Sequence, residues 1–122
     1  MRAVKSRDTT PEIIVRRLLH AMGFRYRLHR DTLPGKPDIV FPSRRKVIFV
    51  HGCFWHGHTC RRGCRVPKTN REYWESKIAR NKKRYELQVA ELRAAGWQVL
   101  PIWECEARAL PPLAKRLMLF LS

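Results

Sequence analysis

The sequence predicts an α/β fold of seven elements in the order αβββαβα. Three observations carry this. Two segments of helical period open on capping-box spacings and stop at a glycine. Short apolar or alternating runs with strand character follow each of them. The length, 122 residues, suits one domain spanning 1–122 with a single core.

Thr9 and Glu12 stand at capping-box spacing with Pro11 in the first turn, and Ile14, Leu18, Leu19 and Met22 recur at helical spacing before Gly23 stops the helix. Phe24 to His29 alternates apolar and basic residues, the pattern of a half-buried strand. Pro34-Gly35-Lys36-Pro37 is a turn, Asp38-Ile39-Val40-Phe41 a strand, Pro42-Ser43-Arg44-Arg45 a second turn and Val47-Ile48-Phe49-Val50 a fully apolar strand; the last two strands form a hairpin. His51 to Thr69 has no regular period. Thr69 and Glu72 repeat the capping-box spacing and open a long helix with Tyr73, Trp74, Ile78, Tyr85, Leu92 and Ala95 near one face, ended by Gly96. Trp97 to Trp103 is a strand whose Pro101 places it at an edge or a bulge, and Leu110 to Leu121 is a short apolar helix.

Charge narrows the function. Lys and Arg number 26 against 10 Asp and Glu, a net +16, while the hydrophobic share of 44% belongs to a folded chain. A small domain with that charge calls for a polyanionic partner, nucleic acid before an anionic membrane. No run approaches the roughly 18 apolar residues of a membrane-crossing helix, and Met1 to Arg7 holds no apolar stretch of a secretory signal. The expected setting is the cytoplasm, with reduced thiols. The four cysteines are then metal ligands sooner than disulfides, the more so because His51, His56 and His58 share a short stretch with Cys53 and Cys60.

That stretch, His51 to Cys60, can supply three ligands of a tetrahedral zinc. Cys105, just after the last strand, is a natural fourth that would pin the loop to the fold. The surplus histidines are candidates for proton transfer, since imidazole titrates near neutral pH. Asp38, at a strand start in a chain poor in acids, reads equally as a Mg²⁺ ligand facing phosphate or as a turn cap. Phe54 and Trp55, inside a polar loop, either pack beneath the metal or wedge between base pairs.

Met1-Arg2-Ala3, Arg7-Asp8-Thr9, Leu33-Pro34-Gly35-Lys36-Pro37-Asp38, the whole His51–Cys60 loop and Trp103-Glu104-Cys105 together resemble the very-short-patch-repair (Vsr) DNA mismatch endonucleases, in order and over nearly the whole chain. The resemblance implies a restriction-endonuclease-like fold, a mixed central sheet flanked by helices. It implies a monomer that nicks double-stranded DNA beside the T of a T:G mismatch, with mismatch-repair proteins as further partners and no membrane. Residue by residue, it implies Mg²⁺ held by Asp38 and the backbone carbonyl of Val50, where the family has threonine. His56 would be the general base, supported by His51 and Glu12. Cys53, His58, Cys60 and Cys105 would hold a structural zinc. Phe54, Trp55, Trp74 and Met1 would intercalate beside the mismatch. The sequence starts at that methionine, so the family's DNA-clasping N-terminal extension is expected to be absent and mismatch selectivity weaker. Cys64 falls in a one-residue insertion and has no assigned role.

The residues agree with this chemistry. Restriction-type nucleases place an acid and a lysine on the strand after the first aspartate, whereas Val47-Ile48-Phe49-Val50 has neither, so the proton acceptor is sought in His51 or His56. Two alternatives stand beside it: a zinc-held nucleic-acid-binding module without catalysis, and a nuclease of the same fold with another mismatch preference.

Overall fold

The computed structural model describes residues 10–28, 32–52 and 69–122. Within them the elements are α1 (Thr10–Ala21), β1 (Arg27–Leu28), β2 (Ile39–Phe41), β3 (Lys46–His51), α2 (Arg71–Ala94), β4 (Gln98–Trp103) and α3 (Leu110–Leu121), with 3₁₀ turns at Pro42–Arg44 and Glu104–Arg108. The order αβββαβα holds. The strands form one mixed sheet in the order β1-β2-β3-β4. β1, β2 and β3 run antiparallel, while β3 and β4 are parallel and joined through α2.

Strand alternation distributes the apolar residues to both faces. Ile39, Phe41, Ile48 and Ile102 pack with Val15 and Leu19 of α1 and with Leu113, Leu117 and Leu121 of α3. Val40, Val47 and Phe49 pack with Leu92 of α2. The i, i+4 spacing of Val15/Leu19 and of Leu113/Leu117/Leu121 gives each helix the apolar stripe this requires. Each fully buried Leu or Ile contributes about 1.5–3 kcal/mol. The end of α3 is also held electrostatically: Arg44 donates to the Leu121 carbonyl at 2.8 Å, and the Lys46 ammonium donates to that of Phe120. Cations on the orphan carbonyls of a helix C-terminus satisfy them and favour the helix dipole.

Several expectations need correction. The capping box at Thr69 is not formed: α2 is preceded by Asn70 with φ 57° and ψ 40°, and no side chain caps it. Asparagine tolerates the left-handed region, which is incompatible with the extended N-cap that Thr69 and Glu72 would need. Thr9, the first capping residue, lies outside the described residues. Among the described residues the first strand pairs over Arg27 and Leu28, and Phe24 and Tyr26 before it turn their rings edge-on to Phe41, at centroid distances of 6.4 and 6.3 Å. On α2 only Ile78 and Leu92 are buried, and Tyr73 is 52% exposed. Pro101 sits where expected, on the edge strand β4 opposite Phe49.

Gly35 joins the turn before β2 to both α2 and β3. Its φ is +75°, and a Cβ there would lie 2.8 Å from Gln88 Oε1 and 3.1 Å from the Phe49 ring. Gly23, with φ +90°, has nothing within 4 Å of such a Cβ. Gly35→Ala is therefore expected to destabilise the fold by about 1–3 kcal/mol, and Gly23→Ala by less, because the second carries backbone strain without overpacking. Urea unfolding of the two variants measures the difference.

Candidate active site

The turn that delivers Asp38 is tightly specified. Lys36 N–H donates to the Leu33 carbonyl at 3.1 Å across Pro34 and Gly35, a pair matching the residue demands of a type II turn. Lys36 follows with φ 48°, a left-handed conformation that a non-glycine residue holds only where its surroundings impose it. Pro37 is buried, and the chain then enters β2.

Asp38 Oδ2 accepts a hydrogen bond from Val50 N–H at 2.7 Å, which ties the start of β2 to the end of β3. The Glu12 carboxylate of α1 reaches the same place, within hydrogen-bonding contact of Asp38. Glu12 is 1% exposed and forms an ion pair with Arg16, one helical turn on. Burial of the Asp38 carboxyl pushes its pKa up to about 7; the Val50 amide opposes this, the Glu12 charge and hydrogen bond add to it, and Arg16 opposes it. Two carboxylates side by side, largely out of water, are expensive unless a cation joins them, and Arg16 supplies only one positive charge.

His51 lies at the end of β3 on the α2 side. It is 5% exposed, and its ring stacks on Phe49 at 5.8 Å, meets Tyr85 edge-on at 4.5 Å and faces Trp103 of β4 at 5.2 Å. Burial pushes the Tyr85 phenol up to about 12, keeping it neutral and a donor. The end of β3 is thus flanked by the acidic pair, Glu12 of α1 and Asp38 just before β2, on one side and by an imidazole in an aromatic setting on the other.

Of the residues expected to act, Asp38, Glu12, Val50 and His51 are gathered at this end of the sheet. Cys105 lies half-buried in the 3₁₀ turn just beyond β4. That turn is fixed by Glu106, which accepts from Trp103 N–H at 3.0 Å and pairs with Arg116 of α3. Trp74 is half-buried in the first turn of α2, edge-on to Tyr73 at 5.0 Å with the Lys77 ammonium 5.9 Å from its ring. Met1, Cys53, Phe54, Trp55, His56, His58, Cys60 and Cys64 lie outside the described residues. Among the described residues, no group of three His, Cys, Asp or Glu is gathered to hold a metal. Arg16 was not singled out from sequence, although its i, i+4 spacing from Glu12 was a readable signal.

A mixed sheet flanked by helices, a buried acid pair at its end and a net charge of +16 suit an enzyme that acts on a polyanion, with nucleases foremost. Residues 1–62 match the family model of the DNA mismatch endonuclease Vsr. The chain is 55% identical over 117 residues to the type II nicking enzyme V.XorIIP of Xanthomonas oryzae pv. oryzae, covering 96% of this chain and 85% of that protein. It is 43% identical over 108 residues to V.NmeAIP of Neisseria meningitidis (88% of this chain, 76% of that one) and 44% identical over 108 residues to the DNA mismatch endonuclease Vsr of Escherichia coli (88% and 69%). The chain belongs to the Vsr family of DNA mismatch endonucleases and is a DNA endonuclease, a hydrolase of phosphodiester bonds. The binding-only reading is thereby set aside.

Proposed function

We propose that this endonuclease nicks one strand of duplex DNA at T:G mismatches, using Mg²⁺ at Asp38 and a structural zinc. The observation that carries the reading is the buried Asp38–Glu12 pair with Val50 bonded to it. The donor set suits Mg²⁺: hard oxygen ligands, few in number, with water and DNA phosphate to complete the sphere. Asp38 would hold the ion. The N–H and C=O of one residue in an extended strand point to the same side, so the Val50 carbonyl is directed with its amide toward Asp38 and would be the second ligand. When bound, the ion stabilises charge developing on the scissile phosphate and lowers the pKa of coordinated water. His56 takes the proton of the attacking water, with His51 and Glu12 holding the surrounding polar groups in place. His51 is suited to that supporting role because three rings fix its orientation.

Cys53, His58, Cys60 and Cys105 would hold the zinc, Cys105 from the turn that Glu106 fixes. Four protein ligands leave no open position, so this metal is structural. Metal analysis is expected to find one zinc per chain, and Cys105→Ala to lose it and unfold at markedly lower denaturant. Phe54, Trp55, Trp74 and Met1 wedge beside the mismatch. The protein works in the cytoplasm on genomic DNA, alone or with mismatch-repair proteins.

The test is a set of duplexes with every mismatch at one position, each strand labelled separately, with Mg²⁺ or with EDTA. A single nick in the T strand of the T:G duplex, present only with Mg²⁺, is expected. Equal nicking of several mismatches would establish the same fold with another preference, and nicking in EDTA would remove Mg²⁺ from the chemistry.

A further inference from the structure

One stripe of α1 leads away from the acidic pair. Glu12, Arg16 and His20 stand at i, i+4 and i+8, with Ile13, Arg17 and Ala21 running beside them. At the Glu12 end the stripe is buried against Asp38. At the other end it opens into a pocket of about 390 Å³ lined by Ile13, Arg16, Arg17, His20, Ala21 and Tyr26. Tyr26 closes the pocket from the segment after the helix, its hydroxyl donating to the Arg16 carbonyl at 3.3 Å. Arg16 belongs to both places: its guanidinium pairs with Glu12, and its side chain forms part of the pocket wall. Arg17 and His20 are exposed, and among the described residues no carboxylate lines the pocket with them.

Cations near a helix C-terminus have a simpler use, favouring the helix dipole. That use needs no pocket, no aromatic wall and no continuity with a buried carboxylate. We propose that this pocket seats a phosphate of the DNA backbone about two or three nucleotides along the strand from the phosphate cut at Asp38, so setting the register in which that strand enters the acidic centre. The spacing follows from the helix. Residues four to eight positions beyond Glu12 lie about 6–12 Å along the helix axis, and successive phosphates of one strand advance about 3.4 Å along a duplex, so a duplex lying parallel to α1 brings a phosphate two or three nucleotides away to the pocket. Arg17 supplies a planar fork of donors and His20 a further N–H, while Ile13 and Ala21 leave an apolar floor. Phosphate contacts of this kind position a duplex without reading its bases. The inference rests on the proposal that Asp38 marks the cutting site.

The experiment measures binding, in EDTA, of mismatched duplexes in which one neutral methylphosphonate is walked along each strand. Wild-type protein is expected to lose about tenfold in affinity when the neutral linkage falls two or three nucleotides from the cut. Arg17→Gln/His20→Gln is expected to bind the unmodified duplex about tenfold more weakly and to lose its sensitivity at that position. Its slope of log K against log salt should be smaller by about 1. Arg17→Lys should keep the sensitivity, and Arg93→Gln, on the α2 side of the sheet, should leave the positional pattern intact. A double variant that still senses the same linkage, or that loses thermal stability with no change in the pattern, overturns the proposal in favour of the dipole role. Because the assay needs no cleavage, a protein that nicked no T:G duplex but showed the positional loss would overturn the nicking reading and leave the phosphate seat standing.

Discussion

Asp38→Ala is expected to cut the single-turnover nicking rate on a T:G duplex by about three orders of magnitude or more, with DNA affinity unchanged or slightly higher. The rate falls because Asp38 is the side-chain ligand proposed for Mg²⁺ and no neighbouring strand residue replaces it. A factor of a thousand corresponds to about 4 kcal/mol of transition-state stabilisation, within what one metal ligand supplies. Affinity holds because a carboxylate facing phosphate is repulsive, so removing it costs the complex no attraction. Rates from labelled strands and affinities in EDTA separate the two effects. A variant that nicked within tenfold of the wild type would place the chemistry elsewhere.

The second large effect concerns stability without metal. The pKa of Asp38 is raised on folding from 3.8 to about 7, chiefly by burial, so the folded chain binds that proton more tightly than the unfolded chain does. Stability from this group is complete below about pH 4. It is lost as pH rises toward 7, and changes no further above that. The full difference is on the order of 4 kcal/mol. In EDTA, Asp38→Asn is expected to be more stable than the wild type by up to that amount at about pH 8, the gain shrinking toward zero near pH 4. Mg²⁺ should act in the opposite sense, stabilising the wild type at the higher pH and leaving the variant unaffected. Urea unfolding at the two pH values reads the result, and a gain that did not depend on pH would contradict the buried-carboxylate account.

Much of the fold was legible because period and punctuation agreed. Gly23, Gly35 and Gly96 fall at positive φ, where the turn signals put them, and the hairpin between β2 and β3 follows from two apolar runs around Pro42–Arg45. Asp38 was found because an acid at a strand start is conspicuous in so basic a chain. What escaped was tertiary. Thr69 and Glu72 have the spacing of a cap, but Asn70 takes the left-handed conformation and forestalls it. Phe24 and Tyr26 alternate as in a strand, yet they leave the ladder to pack on Phe41. Glu12 was legible as a helix-start residue and through family resemblance, whereas its burial against Asp38 depends on how α1 crosses the sheet, which no local pattern encodes. Arg16, Arg17 and His20 looked like three more charges among many until Tyr26 came back to line one pocket with them.

The proposed mechanism needs Glu12 to support Asp38, so that the two carboxylates act together. The most direct measurement is a double-mutant cycle on the single-turnover nicking rate, with Glu12→Gln, Asp38→Asn and the double variant assayed on the same T:G duplex at saturating Mg²⁺. If the pair works as a unit, the double variant is no slower than Asp38→Asn alone, since the second change removes a partner whose purpose is already gone. If the two losses simply multiply, the carboxylates act independently, and the buried pair is not the centre of the reaction.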